Sequence, residues 1–430
     1  MMYNDKNNLK EAGKMDREKL AGAGRYVLAA LRWAAVSLLT GTVCGLLGTA
    51  FHWAIDWVTE YRSAHMLIIW LLPMAGAVTL LLYRLCRVSF DAGTNLIITS
   101  VTTNEHIPVL LAPLITAGTL LSHLFGASVG REGAALQLGG SVGHNMGELL
   151  GFDEDDVRVM SMCGMAACFS AMFGTPVSAA VFVLEVICVG TFQYAALLPC
   201  VVSSCTAGWI SRALGAKAMG YALPEMPAMD MGTVLRTTVL AVLVAALGIV
   251  LCIALHKAAE LWAKLVGSPY LRIALGGLIM AALVSIFKLT DYAGAGAHMI
   301  ERAIGGETEP WAFALKLVLT ALCVGAGFKG GEIVPTLFIG ATFGCTVGPL
   351  LGLGPGFAAA IAMTALFCSV VNCPIATIFL AAEMFGTTDL MLFALAIAVA
   401  FVMSGYFGLY NSQRFQFSKV KRRAYEKSIE

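Results

Sequence analysis

Residues 333–382 run for fifty positions without a single Asp, Glu, Lys or Arg. No water-facing surface tolerates such a stretch, whereas a bilayer is crossed by about 20 apolar residues of helix. The run must hold at least two membrane helices joined by a short turn at Gly354-Pro355-Gly356. Residues 66–83, 159–184 and 390–410 are further charge-free runs of spanning length. The whole chain agrees: 13% charged residues and a mean hydropathy of +0.80 are far from soluble values. The expected fold class is an all-α polytopic membrane protein whose surface faces the lipid bilayer, which excludes an ordinary soluble enzyme.

Charge placement sets the orientation. Lys6, Lys10, Lys14, Arg17, Lys19, Arg25 and Arg32 precede or open the first hydrophobic segment, and Arg414, Lys419, Lys421, Arg422, Arg423 and Lys427 follow the last. The positive-inside rule puts both termini in the cytoplasm, so the number of crossings is even. The first 25 residues lack the apolar core and small-residue cleavage site of a secretory signal and are expected to stay on the chain. The 28 Lys and Arg against 27 Asp and Glu leave a net charge of +1, which gives no reason to expect nucleic acid as a partner. The twelve cysteines include no C-x-x-C pair and read as small packing residues. The seven histidines lack chelate spacing along the chain, so neither a metal nor a cofactor is expected. The sequence offers no Cys/His, Ser/His or metal constellation for an enzyme.

The chain also repeats itself. Gly130-Arg131-Glu132-Gly133, with Gly140 beyond it, is matched 200 positions later by Gly330-Gly331-Glu332-Ile333 and Gly340. Thr175-Pro176 opens an apolar helix ending near Glu185, and Cys373-Pro374 opens another ending near Glu383. Arg32 to His52 and Arg236 to His256 are equal intervals in comparable segments. The expected organisation is a cytoplasmic segment 1–25, a first transmembrane repeat 26–214, an inter-repeat loop 215–232, a second repeat 233–410 and a basic cytoplasmic tail 411–430. Odd numbers of crossings in each half invert one repeat relative to the other and still sum to an even total.

These segments carry a resemblance. Gly-Arg-Glu-Gly at 130–133, Thr-Pro-Val-Ser-Ala-Ala-Val-Phe-Val-Leu-Glu at 175–185, Gly-Gly-Glu-Ile-Val-Pro at 330–335 and Cys-Pro-Ile-Ala-Thr-Ile-Phe-Leu-Ala-Ala-Glu at 373–383 resemble the CLC family of anion channels and anion/proton antiporters. The match runs in family order from about Gly41 to Tyr410. It implies an inverted repeat of tilted, broken helices, and a homodimer in which each subunit has its own pore.

Elementary chemistry stands beside that resemblance. Glycine-rich turns at Gly93, Gly130 and Gly331 enter apolar helices and leave backbone N–H groups unpaired. Helix N-termini aimed at one spot bind an anion through those donors and the helix dipoles, and no lysine is needed. A carboxylate at such an N-terminus competes for the donors when charged and releases them when protonated. Glu132 occupies that position, and the resemblance gives it the gating role. Arg131 reads as a salt-bridge or capping partner behind the loop. Glu185 and Glu383 read as satisfying backbone groups, in part of the other half.

Departures from the chloride-selective pattern suggest the subtype. The first loop reads Gly93-Thr94-Asn95 instead of Gly-Ser-Gly, Ala134 replaces a proline, and Glu332 and Ile333 stand where chloride members have an apolar residue and phenylalanine. This is similar to the fluoride-exporting branch. Asn95 adds a side-chain donor suited to a small, strongly hydrated anion. The same resemblance makes Phe338 a lining residue and Tyr410 an inner-gate tyrosine. The anion-binding set is then Gly93, Thr94, Asn95, Gly130, Gly133, Ile333, Val334, Phe338 and Tyr410. Val334 replaces a threonine of some branch members. Val186 replaces the internal glutamate of chloride antiporters, which leaves either a channel or an antiporter that moves its proton through Glu132 and Glu332. The expected function is fluoride export in exchange for protons across a bacterial inner membrane. A chloride/proton antiporter of the same fold and a passive anion channel are the alternatives.

Overall fold

The computed structural model describes the backbone of residues 2–90, 93–103, 105–223, 226–387, 390–420 and 424–428, with side chains described at 24 and over the described part of 26–420. In the first half, α1 (Met2–Ala64) is followed by a 3-10 turn and α2 (Leu72–Leu85), α3 (Thr94–Thr103), α4 (Leu111–Leu124), α5 (Glu132–Leu149), α6 (Glu154–Phe173), α7 (Pro176–Val186) and α8 (Leu197–Ala213). The second half holds α9 (Met231–Leu265), α10 (Pro269–Phe287), α11 (Ala297–Ile304), α12 (Ala312–Ala326), α13 (Ile333–Val347), α14 (Pro355–Val371), α15 (Pro374–Phe385) and α16 (Leu390–Met403). Among the described residues, six segments are long and apolar enough to cross a membrane, and seven further apolar helices have only 10–17 residues. At 1.5 Å per residue the shorter ones end inside the protein, where their termini need partners.

Two of the charge-free runs are cut more finely than the sequence suggests. Residues 159–184 break at Gly174 and 333–382 break at Asn372, both with left-handed backbone at φ 74° and 58°. Pro176 and Pro374 then open α7 and α15 in their first turns. A left-handed cap followed by proline is the standard way to end one helix and start the next. The 333–382 run therefore holds three helices and a 3-10 turn.

Both ends of the chain carry regular structure. No backbone break separates residues 2–25 from the first apolar segment, because α1 is continuous from Met2. Within the expected tail 411–430, β2 (Arg414–Phe417) pairs in parallel with β1 (Cys188–Val189) and antiparallel with β3 (Ala424–Ser428). This small sheet is an addition to an otherwise helical fold.

The halves are joined by a reciprocal exchange. Glu185, at the end of α7, accepts hydrogen bonds from the N–H groups of Ile375 (3.2 Å) and Ala376 (2.8 Å) at the start of α15. Glu383, near the end of α15, accepts from the N–H groups of Val177 and Ser178 at the start of α7, both at 2.9 Å. Each carboxylate satisfies donors that its own helix does not own, and the dipole at each N-terminus favours the charge. Because the end of each helix meets the start of its counterpart, α7 and α15 run antiparallel, as an inverted repeat requires.

Close helix packing depends on small residues. A Cβ at Gly139 would lie 2.1 Å from the Gly164 carbonyl oxygen, and one at Gly344 would lie 2.1 Å from that of Ala358. The pairs α5/α6 and α13/α14 thus approach backbone to backbone, which suits helices that gain no hydrophobic drive from lipid. Large apolar side chains such as Leu67, Trp209, Leu271 and Ile286 point outward.

Candidate functional site

Gly130 and Gly331 form an isolated antiparallel bridge: the Gly130 N–H donates to the Gly331 carbonyl at 2.5 Å and the Gly331 N–H returns the bond at 2.8 Å. The two loops that enter α5 and α13 are thus stitched together by backbone alone. Glycine is required on both sides, since a Cβ at Gly331 would lie 2.5 Å from the Gly133 nitrogen and one at Gly130 would lie 2.8 Å from Pro335 Cδ. The start of α3 joins them through Thr94. Its hydroxyl donates to the Gly133 carbonyl at 3.5 Å and accepts from Gln137 Nε2 at 3.2 Å. Three helix N-termini, two from one half and one from the other, therefore meet.

A cavity of about 420 Å³ opens beside this junction, lined by Gly93, Thr94, Asn95, Gln137, Glu332 and Tyr410 among others. The Asn95 amide oxygen accepts from the Ser412 N–H at 3.2 Å, which leaves both donors of that side chain on its NH2 group. The buried Tyr410 hydroxyl and Gln137 carbonyl oxygen have no hydrogen-bond partner among the described residues. Buried polar atoms without partners are rare away from functional sites. Tyr410 is held from behind. Gln413 donates to the carbonyls ending α7 and α14, Val186 and Val371, both at 2.9 Å, while Leu409 N–H bonds to the Val370 carbonyl.

Glu132 is completely buried. Its carboxylate accepts from the Arg131 backbone N–H at 3.1 Å and from Arg131 Nε at 3.3 Å, and Arg131 also pairs with Asp56 at 2.9 Å. Asp56 in turn lies 3.2 Å from His52 on the adjacent turn of α1. The guanidinium is therefore shared between a buried and an exposed carboxylate.

Of the sequence-predicted residues, Gly93, Thr94, Asn95, Glu332 and Tyr410 share the cavity, and Gly130, Gly133 and Glu132 adjoin it through the bridge. Ile333, Val334 and Phe338 are fully buried on α13 and do not line it. Phe338 packs against Tyr292 at 5.8 Å, with Lys316 Nζ 5.2 Å from its ring centre. Two lysines stand where none was needed. Lys316 is fully buried and donates to the carbonyls of Tyr292 (3.0 Å) and Gly294 (2.6 Å). Lys329 lines the cavity, bonds to the Phe90 carbonyl and lies 3.9 Å from that ring's centre. Gln137 was also missed, although it is a polar amide in the apolar first turns of α5. Away from this site, His106, His144 and Glu148 cluster, although their spacing along the chain gave no metal motif.

The sequence profile of the voltage-gated chloride channel family matches residues 79–405. The chain belongs to this family, the CLC family. A chloride/fluoride channel protein of Pseudomonas syringae pv. tomato is 35% identical to this CLC chain over 398 residues, covering 91% of it and 88% of the relative. An H(+)/Cl(-) exchange transporter of Vibrio campbellii is 26% identical, covering 83% and 82%. Among solved structures, that of a CLC-type fluoride/proton antiporter superposes on this CLC chain with a TM-score of 0.87 at 30% identity, covering 90% of it and 98% of the other. The fold is thus that of a multi-pass CLC membrane protein.

Proposed function

We propose that this CLC protein exports fluoride in exchange for protons. The observation that carries the reading is the junction at Gly130 and Gly331, which sets Glu132, Glu332, Asn95 and Tyr410 around donors from three helix N-termini. The anion takes those donors and the Asn95 amide, with the Tyr410 hydroxyl at the inner side. The Glu132 carboxylate competes for the same region: charged, it stays on the Arg131 donors, and protonated, it leaves them to the anion. Glu332 is the second proton-carrying carboxylate, placed within the cavity. Phe338, Ile333 and Val334 form the wall of α13 behind it.

The names of two similar proteins, a chloride/fluoride channel protein and a fluoride/proton antiporter, support fluoride as cargo. The working form is a homodimer in a bacterial inner membrane, with both termini cytoplasmic. Reconstituted liposomes test the reading. A fluoride gradient should drive protons uphill, and a chloride gradient of the same size should drive few. Equal driving by chloride would favour a chloride antiporter, and no driving by either would favour a channel. Glu132→Gln should abolish proton flux; stoichiometric exchange retained in that variant would remove Glu132 as the gate.

A further inference from the structure

At the opposite end of α5 from Glu132, Glu148 Oε1 lies 3.0 Å from His106 Nδ1 and 3.4 Å from His144 Nε2. The three ligand atoms all fall within 4.8 Å of one another. His144 and Glu148 are one turn apart on α5, and His106 comes from the connector between α3 and α4. The orientation of His144 is fixed from behind. Ser161 Oγ, whose proton goes to the Val157 carbonyl, lies 3.4 Å from His144 Nδ1 and accepts the proton there. The Ile107 N–H donates to His144 Nε2 at 3.3 Å, which likewise marks Nε2 as the nitrogen with the lone pair. A lone pair and a carboxylate oxygen therefore face each other at 3.4 Å, an arrangement that a cation between them would satisfy.

We infer that His106, His144 and Glu148 form a binding site for a divalent transition metal of the zinc class. Metal–ligand bonds of about 2.0–2.1 Å in a tetrahedron separate the ligand atoms by roughly 3.3–3.4 Å, close to the 3.0 Å and 3.4 Å that separate Glu148 from the two histidines. Two imidazoles and one carboxylate are a borderline-soft set that suits zinc over calcium or magnesium. The Ser161 contact to the far nitrogen of His144 is the outer-shell support that metal-binding histidines use. A cavity of about 230 Å³ opens on the three residues and leaves a fourth coordination position to water. Glu154 and Arg158 also line it, and Arg158 pairs with Asp155 at 3.2 Å. Binding displaces the weak Ile107 bond and ties the connector after α3 to the end of α5. Since α3 and α5 begin at the ion cavity, the metal braces two of its walls from their far ends.

The test uses the full-length protein purified without a polyhistidine tag. Zinc chloride titrated calorimetrically should bind at one ion per chain in the micromolar range. His106 and Glu148 have side chains 64% and 44% exposed, so His106→Ala and Glu148→Ala leave the packing intact. Each should weaken zinc binding by about tenfold or more. His298→Ala, at an exposed histidine paired with Asp291 elsewhere, should leave it unchanged. Cobalt in place of zinc should give the intense visible absorption of a four-coordinate site, lost in both variants. Absence of micromolar zinc binding in the wild type, or binding that survives the double variant, overturns the inference.

Discussion

Tyr410 is 3% exposed and its hydroxyl bonds to nothing among the described residues, so its reason for being a tyrosine lies in what enters the cavity. Tyr410→Phe leaves no described group without its hydrogen bond and should change thermal stability by less than about 0.5 kcal/mol. Fluoride-driven proton flux in liposomes should nevertheless fall clearly; unchanged flux would leave the hydroxyl without a role. Glu132 and Asn95 stood out because each sits at a fixed place in a short glycine-bearing segment, whereas Tyr410 came in through the family resemblance alone. Gln137, Lys329 and Lys316 were not, because nothing in their local sequence tells which face of a helix looks into the cavity. The histidine cluster was hidden for a similar reason: His106 and His144 lie 38 positions apart and meet only when α5 passes the α3–α4 connector.

At the scale of elements, the short helices were harder to read than the long ones. Charge-free runs announce membrane burial, yet they do not show where a helix stops inside it. Gly174 and Asn372 mark those stops through backbone conformation, and only the prolines just beyond them are visible as signals in the sequence. Helix contacts make a sharper prediction. Gly139→Ala puts a methyl group against the Gly164 carbonyl and should destabilise the protein by about 2 kcal/mol in detergent unfolding. Gly267→Ala, with no described atom within 4 Å of the added carbon, should cost less than about 0.5 kcal/mol. At the start of α9, Asp230 accepts from the Thr233 N–H at 2.6 Å, and that bond holds its carboxyl below the usual carboxylate range. Its contribution is complete above that range and is lost as pH falls through the lowered value. Asp230→Asn keeps the cap without the titration, so the acid side of the stability curve should become flatter.

For the molecule as a whole, the repeat was legible from paired motifs 198 and 200 positions apart, and it carried most of the fold. The bridge at Gly130 and Gly331 and the glutamate exchange between α7 and α15 were not legible in detail, since a sequence does not give the angle at which two halves meet. Glu185→Ala and Glu383→Ala each strand two N–H groups in the partner helix. Each should lower stability by about 1–2 kcal/mol in a thermal unfolding assay. An equal loss from both is expected if the halves contribute alike, and a loss from only one would show that the seam is lopsided.

That exchange also bears on biogenesis. When the ribosome has finished residues up to 214, the amides of Val177 and Ser178 and the carboxylate of Glu185 already exist, yet the groups that complete them lie 190 to 206 positions downstream of them. The early half must wait in the lipid, with water or another chain standing in, until its mirror segment arrives and each lends the other what it lacks.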